Sequence, residues 1–190
     1  MKLLIMAVSA ALINNIVLAK FLGCCPFLGV SKNRKSALGM GLAVIFVIFC
    51  SSLITYALYY YILVPFNIEY MQLISFILVI ASFVQFVEMF LKKNSPGLYK
   101  TLGVYLPLIT TNCTVLYVTQ NNISEGYNLI QTIVNSIAVP VGFMLVLYIF
   151  SCIRERLDGA DTTETWKGNP IALVVAGLMA LALAGLAGIA

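Results

Sequence analysis

The sequence predicts an all-α integral membrane protein of six transmembrane helices, arranged as two inverted three-helix repeats with discontinuous helices 1 and 4. Three observations carry that expectation. Of 190 residues, 62% are hydrophobic and 9% charged, with a mean hydropathy of +1.02. A soluble domain averages roughly 45–50% apolar and about 25% charged. Charge-poor apolar stretches long enough to cross a bilayer, about 20 residues, occur six times, at residues 3–22, 37–63, 71–91, 98–119, 129–153 and 170–189. Nine of the 11 Lys and Arg residues fall in alternate loops.

The first stretch is read as a retained span. Only Lys2 precedes it and no small-residue cleavage motif follows. Residues 3–30 would make one helix of about 42 Å, too long for a simple crossing. They are interrupted by Gly23, Cys24, Cys25 and Pro26 and again at Gly29, with Pro26 ending the helical run. The second stretch follows a loop bearing Lys32, Arg34 and Lys35, and its Gly39, Gly41 and Ala43 read as a packing face. The third runs into Lys92, Lys93 and Lys100. The fourth contains Pro107, a natural break, and the polar run Thr110, Thr111, Asn112 and Cys113. The fifth leads to Arg154, Arg156 and Lys167. In the sixth, Ala172, Ala176, Ala180, Ala184 and Gly188 recur every fourth residue beside Gly177 and Gly185, a stripe for close helix approach. These stretches are too long and uniform for the alternating segments of a membrane β-barrel.

The loops near residues 65–70 and 120–128 carry no Lys or Arg, only Glu69 and Glu125. The positive-inside rule therefore places the three basic loops in the cytoplasm and both termini on the outer face. Three spans per half make two halves of opposite orientation, one membrane domain over residues 1–190 with repeats of about 1–95 and 96–190. Each half opens with its most polar span, and "LINNIVL" (residues 12–18) weakly resembles "ITTNCTVL" (residues 109–116). Inverted repeats place a shared site near the midplane, where interrupted helices meet.

The composition also excludes functions. A net charge of +4 without a long basic run argues against nucleic acid as a partner. With no histidine, there is no imidazole acid–base catalyst and no His-ligated metal. Five cysteines without a CxxC pair do not suggest a disulfide framework. Cys50 and Cys152 read as small apolar residues. Cys25 and Cys113 sit beside a helix breaker and a polar cluster in corresponding spans. Two thiolates are half the ligand set of an iron–sulfur cluster, so a cluster would have to be shared with another chain. Asn14, Asn15, Thr110, Thr111 and Asn112 are costly in hydrocarbon unless paired. They could bond between helices, surround the two cysteines, or line an ion path. Lys20, five residues before Cys25, reads as a snorkelling lysine near the cytoplasmic end of its span. Glu88, four residues before Lys92, reads as an interfacial i,i+4 ion pair, with an ion-binding carboxylate as the alternative.

The segments "NNIVLAKFLGCCPFLGVSK" (residues 14–32), "QFVEMFLKK" (85–93), "YLPLITTNC" (105–113), "IRERLDGAD" (153–161) and "GNPIALVVAGLM" (168–179) follow one another across the chain. Together they resemble the A-type membrane subunits of Rnf complexes, which are similar to the E subunits of sodium-translocating NADH:quinone oxidoreductases. The resemblance implies a multi-pass subunit of the bacterial plasma (inner) membrane, an electron relay within an ion-translocating oxidoreductase and not a complete enzyme. It implies a pseudo-symmetric partner, a homologous E-type subunit of opposite topology, and further subunits of B, C, D and G type. It also implies one [2Fe-2S] cluster within the membrane, with two cysteines from each partner. Carried over, these are the cysteine of the "LGxCPF" pattern, Cys25, and that of "TTNC", Cys113. Cys24 occupies a variable position and is a possible competing ligand. Flavins of the family sit on other subunits, so none is expected here. Electron transfer between ferredoxin and NAD+ would be coupled to movement of Na+ or H+. A stand-alone secondary transporter and a structural scaffold with inert cysteines are the rival readings.

Overall fold

A computed structural model describes residues 9–10, 15–31, 34–66, 69–94, 108–109, 112–159 and 168–187. Among these residues the structure is all-helical, without strands. Seven helices position the site: α1 (Ile16–Lys20), α2 (Cys24–Val30), α3 (Arg34–Leu58), α4 (Gln72–Asn94), α5 (Cys113–Ser124), α6 (Leu129–Asp158) and α7 (Asn169–Ala187). A π-helical turn, Tyr59–Leu63, and a short turn, Val64–Phe66, prolong α3. Among the described residues, three apolar segments are long enough to cross a membrane: Ser36–Phe66, Gln72–Met89 and Leu129–Leu157. Asn169–Gly185 is apolar but shorter.

The helix starts follow from side-chain chemistry. Asn15 and Asn112 hold extended backbone angles and cap α1 and α5. Each side-chain oxygen accepts the amide two residues on, from Val17 at 3.1 Å and from Thr114 at 3.0 Å. At α6, Asn128 N–H donates to Gln131 Oε1 at 3.1 Å, the backward half of a capping box. Lys92 and Lys93 fall in the last turn of α4, where positive charge meets the negative end of the helix dipole.

Helix α6 is the spine. It packs most extensively on α3 and also touches α1 and α5, while α7 lies against α1. Met40, Val44 and Ile48 of α3 and Phe143, Leu147 and Phe150 of α6 are fully buried. A β-carbon at Gly41 would come within 2.5 Å of Met144 Cγ, so glycine sets the α3–α6 separation, as the packing-face reading expects. Ala172 and Ala180 of α7 are buried and Ala176 packs on the core. Among the described residues, nothing lies within 4 Å of a β-carbon built at Gly177 or Gly185. Gly188 lies outside the described residues. A buried amide ladder joins α5 to α6: Asn135 Nδ2 donates to Asn122 Oδ1 at 2.6 Å, and Asn122 Nδ2 to Ser136 Oγ at 3.2 Å. Exposed Ile74, Ile77, Leu78, Phe86 and Met89 give α4 an apolar surface, and exposed Tyr60, Tyr61 and Tyr70 cluster where α3 turns to α4. Tyrosines at that position suit a membrane–water interface.

The first predicted span is discontinuous. Lys20 ends α1 and Cys24 begins α2, with residues 21–23 between them. Phe21 (φ 54°) and Gly23 (φ 82°) both adopt left-handed backbone, which no helix can continue through. Pro26 does not end the helical run as expected. It sits in the first turn of α2, where its missing N–H costs nothing. Gly29 lies within α2 and breaks nothing. In the fourth predicted span, α5 begins at Cys113. Pro107, Thr110 and Thr111, like Asn14, lie outside the described residues.

Candidate functional site

The site is built on two short helices that could not cross a bilayer alone. Helix α5, of 12 residues, is about 18 Å long. Its first residue is Cys113, set by the Asn112 cap. The break between α1 and α2 lies against that end. Gly23 N–H donates to Cys113 Sγ at 3.0 Å. A β-carbon at Gly23 would meet Thr114 Oγ1 at 2.5 Å and a Phe143 ring carbon at 3.0 Å. The absence of a side chain at residue 23 is therefore what allows the break to reach Cys113.

Cys25 and Cys113 are both exposed on the chain surface. Cys24 lies within electrostatic reach of both but is turned elsewhere. Its thiol donates to the Phe21 carbonyl at 2.8 Å and lines an apolar crevice with Ala176 and Gly177 of α7. Two other polar groups at the junction are buried without a partner among the described residues, Asn112 Nδ2 and Thr114 Oγ1. Both are donors next to Cys113. An acceptor such as a thiolate or inorganic sulfide would satisfy them. Among the described residues, no three Cys, Asp or Glu side chains converge on one point.

The other predicted residues are distributed unevenly. Asn15 joins the break to the spine, its Nδ2 donating to Gly142 O at 2.9 Å. Lys20, expected to snorkel, is exposed on the chain surface. Its ammonium is hydrogen-bonded to Tyr117 Oη and lies 4.4 Å above the Tyr117 ring centre. This contact links the end of α1 to α5. Lys20, Tyr117, Asn121, Glu125, Tyr127 and Asn135 form the polar part of the lining of a cavity of about 410 Å³, with Ile16, Val118 and Val139 among its apolar part. Burial and the neighbouring Glu125 carboxylate raise the Tyr127 phenol above its ordinary pKa. Glu88 is half-buried on α4 and is not part of that lining.

Comparison with known proteins decides the relationship. A family model described as "Rnf-Nqr subunit, membrane protein" matches residues 3–190. The chain belongs to the Rnf-Nqr family. Among similar members, the A subunit of the Na+-translocating ferredoxin:NAD+ oxidoreductase complex of Acetobacterium woodii is 53% identical over 188 residues, covering 99% of this chain and 98% of its own. The A subunit of the ion-translocating oxidoreductase complex of Aliivibrio salmonicida is 51% identical, covering 98% and 96%. Its counterpart in Syntrophotalea carbinolica is 50% identical, covering 98% and 97%.

Within this Rnf-Nqr chain, sequence reasoning misses three groups. Gly23 reads as a helix breaker and not as a donor to sulfur. Tyr117 gives no signal. Arg154 counts as a loop charge, yet it is 2% exposed. Its position is legible in one respect, because Phe143, Leu147, Phe150 and Arg154 share one helical face.

Proposed function

We propose that this chain is the A subunit of a Rnf-type ion-translocating ferredoxin:NAD+ oxidoreductase. In this reading Cys25 and Cys113 supply two of the four thiolates that hold a [2Fe-2S] cluster, shared with a homologous subunit of opposite topology. The choice of Rnf type over the quinone-reducing type rests on the names of the relatives. The observation that carries the cluster reading is the Gly23 N–H aimed at Cys113 Sγ, at a helix break that also carries exposed Cys25. The residues fit the group: two exposed sulfurs, one amide already directed at sulfur, and the unpartnered Asn112 and Thr114 donors. When bound, such a cluster supplies one-electron transfer. This chain's residues would hold it through sulfur, offset its negative charge with fixed donors, and orient Cys113 through the Asn112 cap.

In this reading the cavity beside Lys20, Tyr117 and Glu125 is a candidate path for the translocated ion, Na+ or H+. The same reading gives the chain six spans in the bacterial inner membrane, and the matching caps Asn15 and Asn112 at the starts of α1 and α5 support its inverted repeat. Asn14, Thr110 and Thr111 belong with these caps by sequence, and Glu88 has the weakest case.

Two measurements test this. Iron and acid-labile sulfide should co-purify with the co-expressed pair of homologous subunits and be missing from this chain expressed alone. A stoichiometric cluster in the isolated chain contradicts the shared site, and an iron-free complex favours a transporter or scaffold. A reporter fused after Ala190 should be active only if it functions outside the cytoplasm. Cytoplasmic activity there would overturn the topology.

A further inference from the structure

Arg154 is among the largest fully buried side chains of the protein. Its guanidinium reaches three points on two other helices. Nη1 donates to Leu28 O at 2.7 Å and to Ser31 Oγ at 2.8 Å, at the C-terminal end of α2. Nη2 donates to Asn169 Oδ1 at 2.9 Å, at the start of α7. Nε has no partner among the described residues. None of these partners is a carboxylate, and the adjacent Glu155 is bound to Arg34 instead. Arginine does not lose its proton in proteins, so among the described residues the buried charge meets only neutral oxygens. A buried cation is costly without a counter-charge.

What Arg154 grips narrows the role. Helix α2 has seven residues, and Cys25 lies in its first turn. So short a helix does not hold itself. It is held by one face of α6. Phe143 closes on Gly23, Phe150 stacks on Phe27 with ring centres 4.2 Å apart, and Arg154 takes the last turn. Leu28 O lies one helical turn beyond Cys25.

We propose that Arg154 is the positioning residue of the Cys25 ligand arm. It docks the end of α2 onto α6 and α7, and its charge, which meets no carboxylate among the described residues, offsets the negative charge of the thiolate-bound cluster. The inference rests on the reading of Cys25 and Cys113 as cluster ligands. Geometry and charge separate in different variants. Methionine removes both, and lysine keeps the charge but lacks the planar fork of directed donors. Asn169→Ala removes one of the three contacts and leaves the charge in place.

The test uses the intact multi-subunit complex and follows the EPR signal of the membrane cluster. One readout is its loss to an iron chelator, the other its midpoint potential. Arg154→Met is expected to speed cluster loss about tenfold, the factor that one charge-assisted hydrogen bond is worth, and to shift the midpoint to more negative values. Arg154→Lys should restore the midpoint but not the retention. Asn169→Ala should speed loss less and leave the midpoint in place. If Arg154→Met fails to assemble, Ser31→Ala combined with Asn169→Ala decides: faster loss supports the proposal and wild-type retention overturns it. An assembled Arg154→Met complex with wild-type retention and midpoint overturns it and makes Arg154 a fold brace only. A wild-type complex without a cluster overturns it through the ligand assignment instead.

Discussion

Replacing Cys113 or Cys25 by serine in the co-expressed pair of homologous subunits is expected to abolish the cluster EPR signal and downstream flavin reduction while the pair still assembles. Cys24→Ser is expected to leave both nearly intact. The asymmetry comes from where each sulfur points. Cys113 opens α5 and accepts the Gly23 amide. Cys25 is exposed one residue beyond Cys24, and neighbouring side chains on a helix diverge by roughly 100°. The Cys24 thiol is already bonded to the Phe21 carbonyl and directed into the apolar crevice beside α7. Serine is close to cysteine in size, so assembly should survive while ligation fails. If Cys24→Ser removes the iron and Cys25→Ser does not, the ligand register is off by one residue. If neither Cys25 nor Cys113 matters, the cluster reading of this chain is wrong.

Gly23→Ala is expected to cost the site nearly as much as losing a ligand. Left-handed backbone costs a non-glycine residue roughly 1–2 kcal/mol. Gly23 is held at φ 82°. Its new methyl would also press on Thr114 Oγ1 at 2.5 Å and Phe143 at 3.0 Å, and overpacking of this kind costs about 1–3 kcal/mol. The simplest relief is to move the break away from α5, which removes the amide from Cys113. Gly29→Ala is the control, since among the described residues its β-carbon would meet only Leu108, at an ordinary 3.7 Å. Iron content and thermal unfolding of the purified pair are the measurements. Wild-type iron in Gly23→Ala would show that the Gly23 amide does not matter to cluster binding.

The helices are legible because each long span carries its own signal. The predicted 71–91 and 129–153 correspond to α4 and α6 within a few residues at each end, apart from a last turn of α6 running on to Asp158. Those extensions are amphipathic and charged, and hydropathy undercounts them. The discontinuity of the first span is legible from Gly23, but its placement is not. Pro26 reads as a stop because proline cannot sit within a helix, yet a new helix starts two residues earlier and proline fits its first turn. The two cysteines stand out by type, position and family pattern.

Composition and loop charge by themselves determined that this is a multi-helix membrane protein, and the family pattern singled out two of its five sulfurs. These are properties of local stretches, and summed hydropathy or a short motif expresses them directly. Only the tertiary structure decided that residues 23 and 113 touch, that Lys20 turns onto Tyr117, that Cys24 is diverted toward α7, and that Arg154 is a buried clamp on α2 and not a loop charge. Each of these joins residues that are distant in the chain or turns on the direction of a single side chain. Such contacts follow from how α1, α2 and α5 dock on α6, and one-dimensional spacing carries no record of that docking.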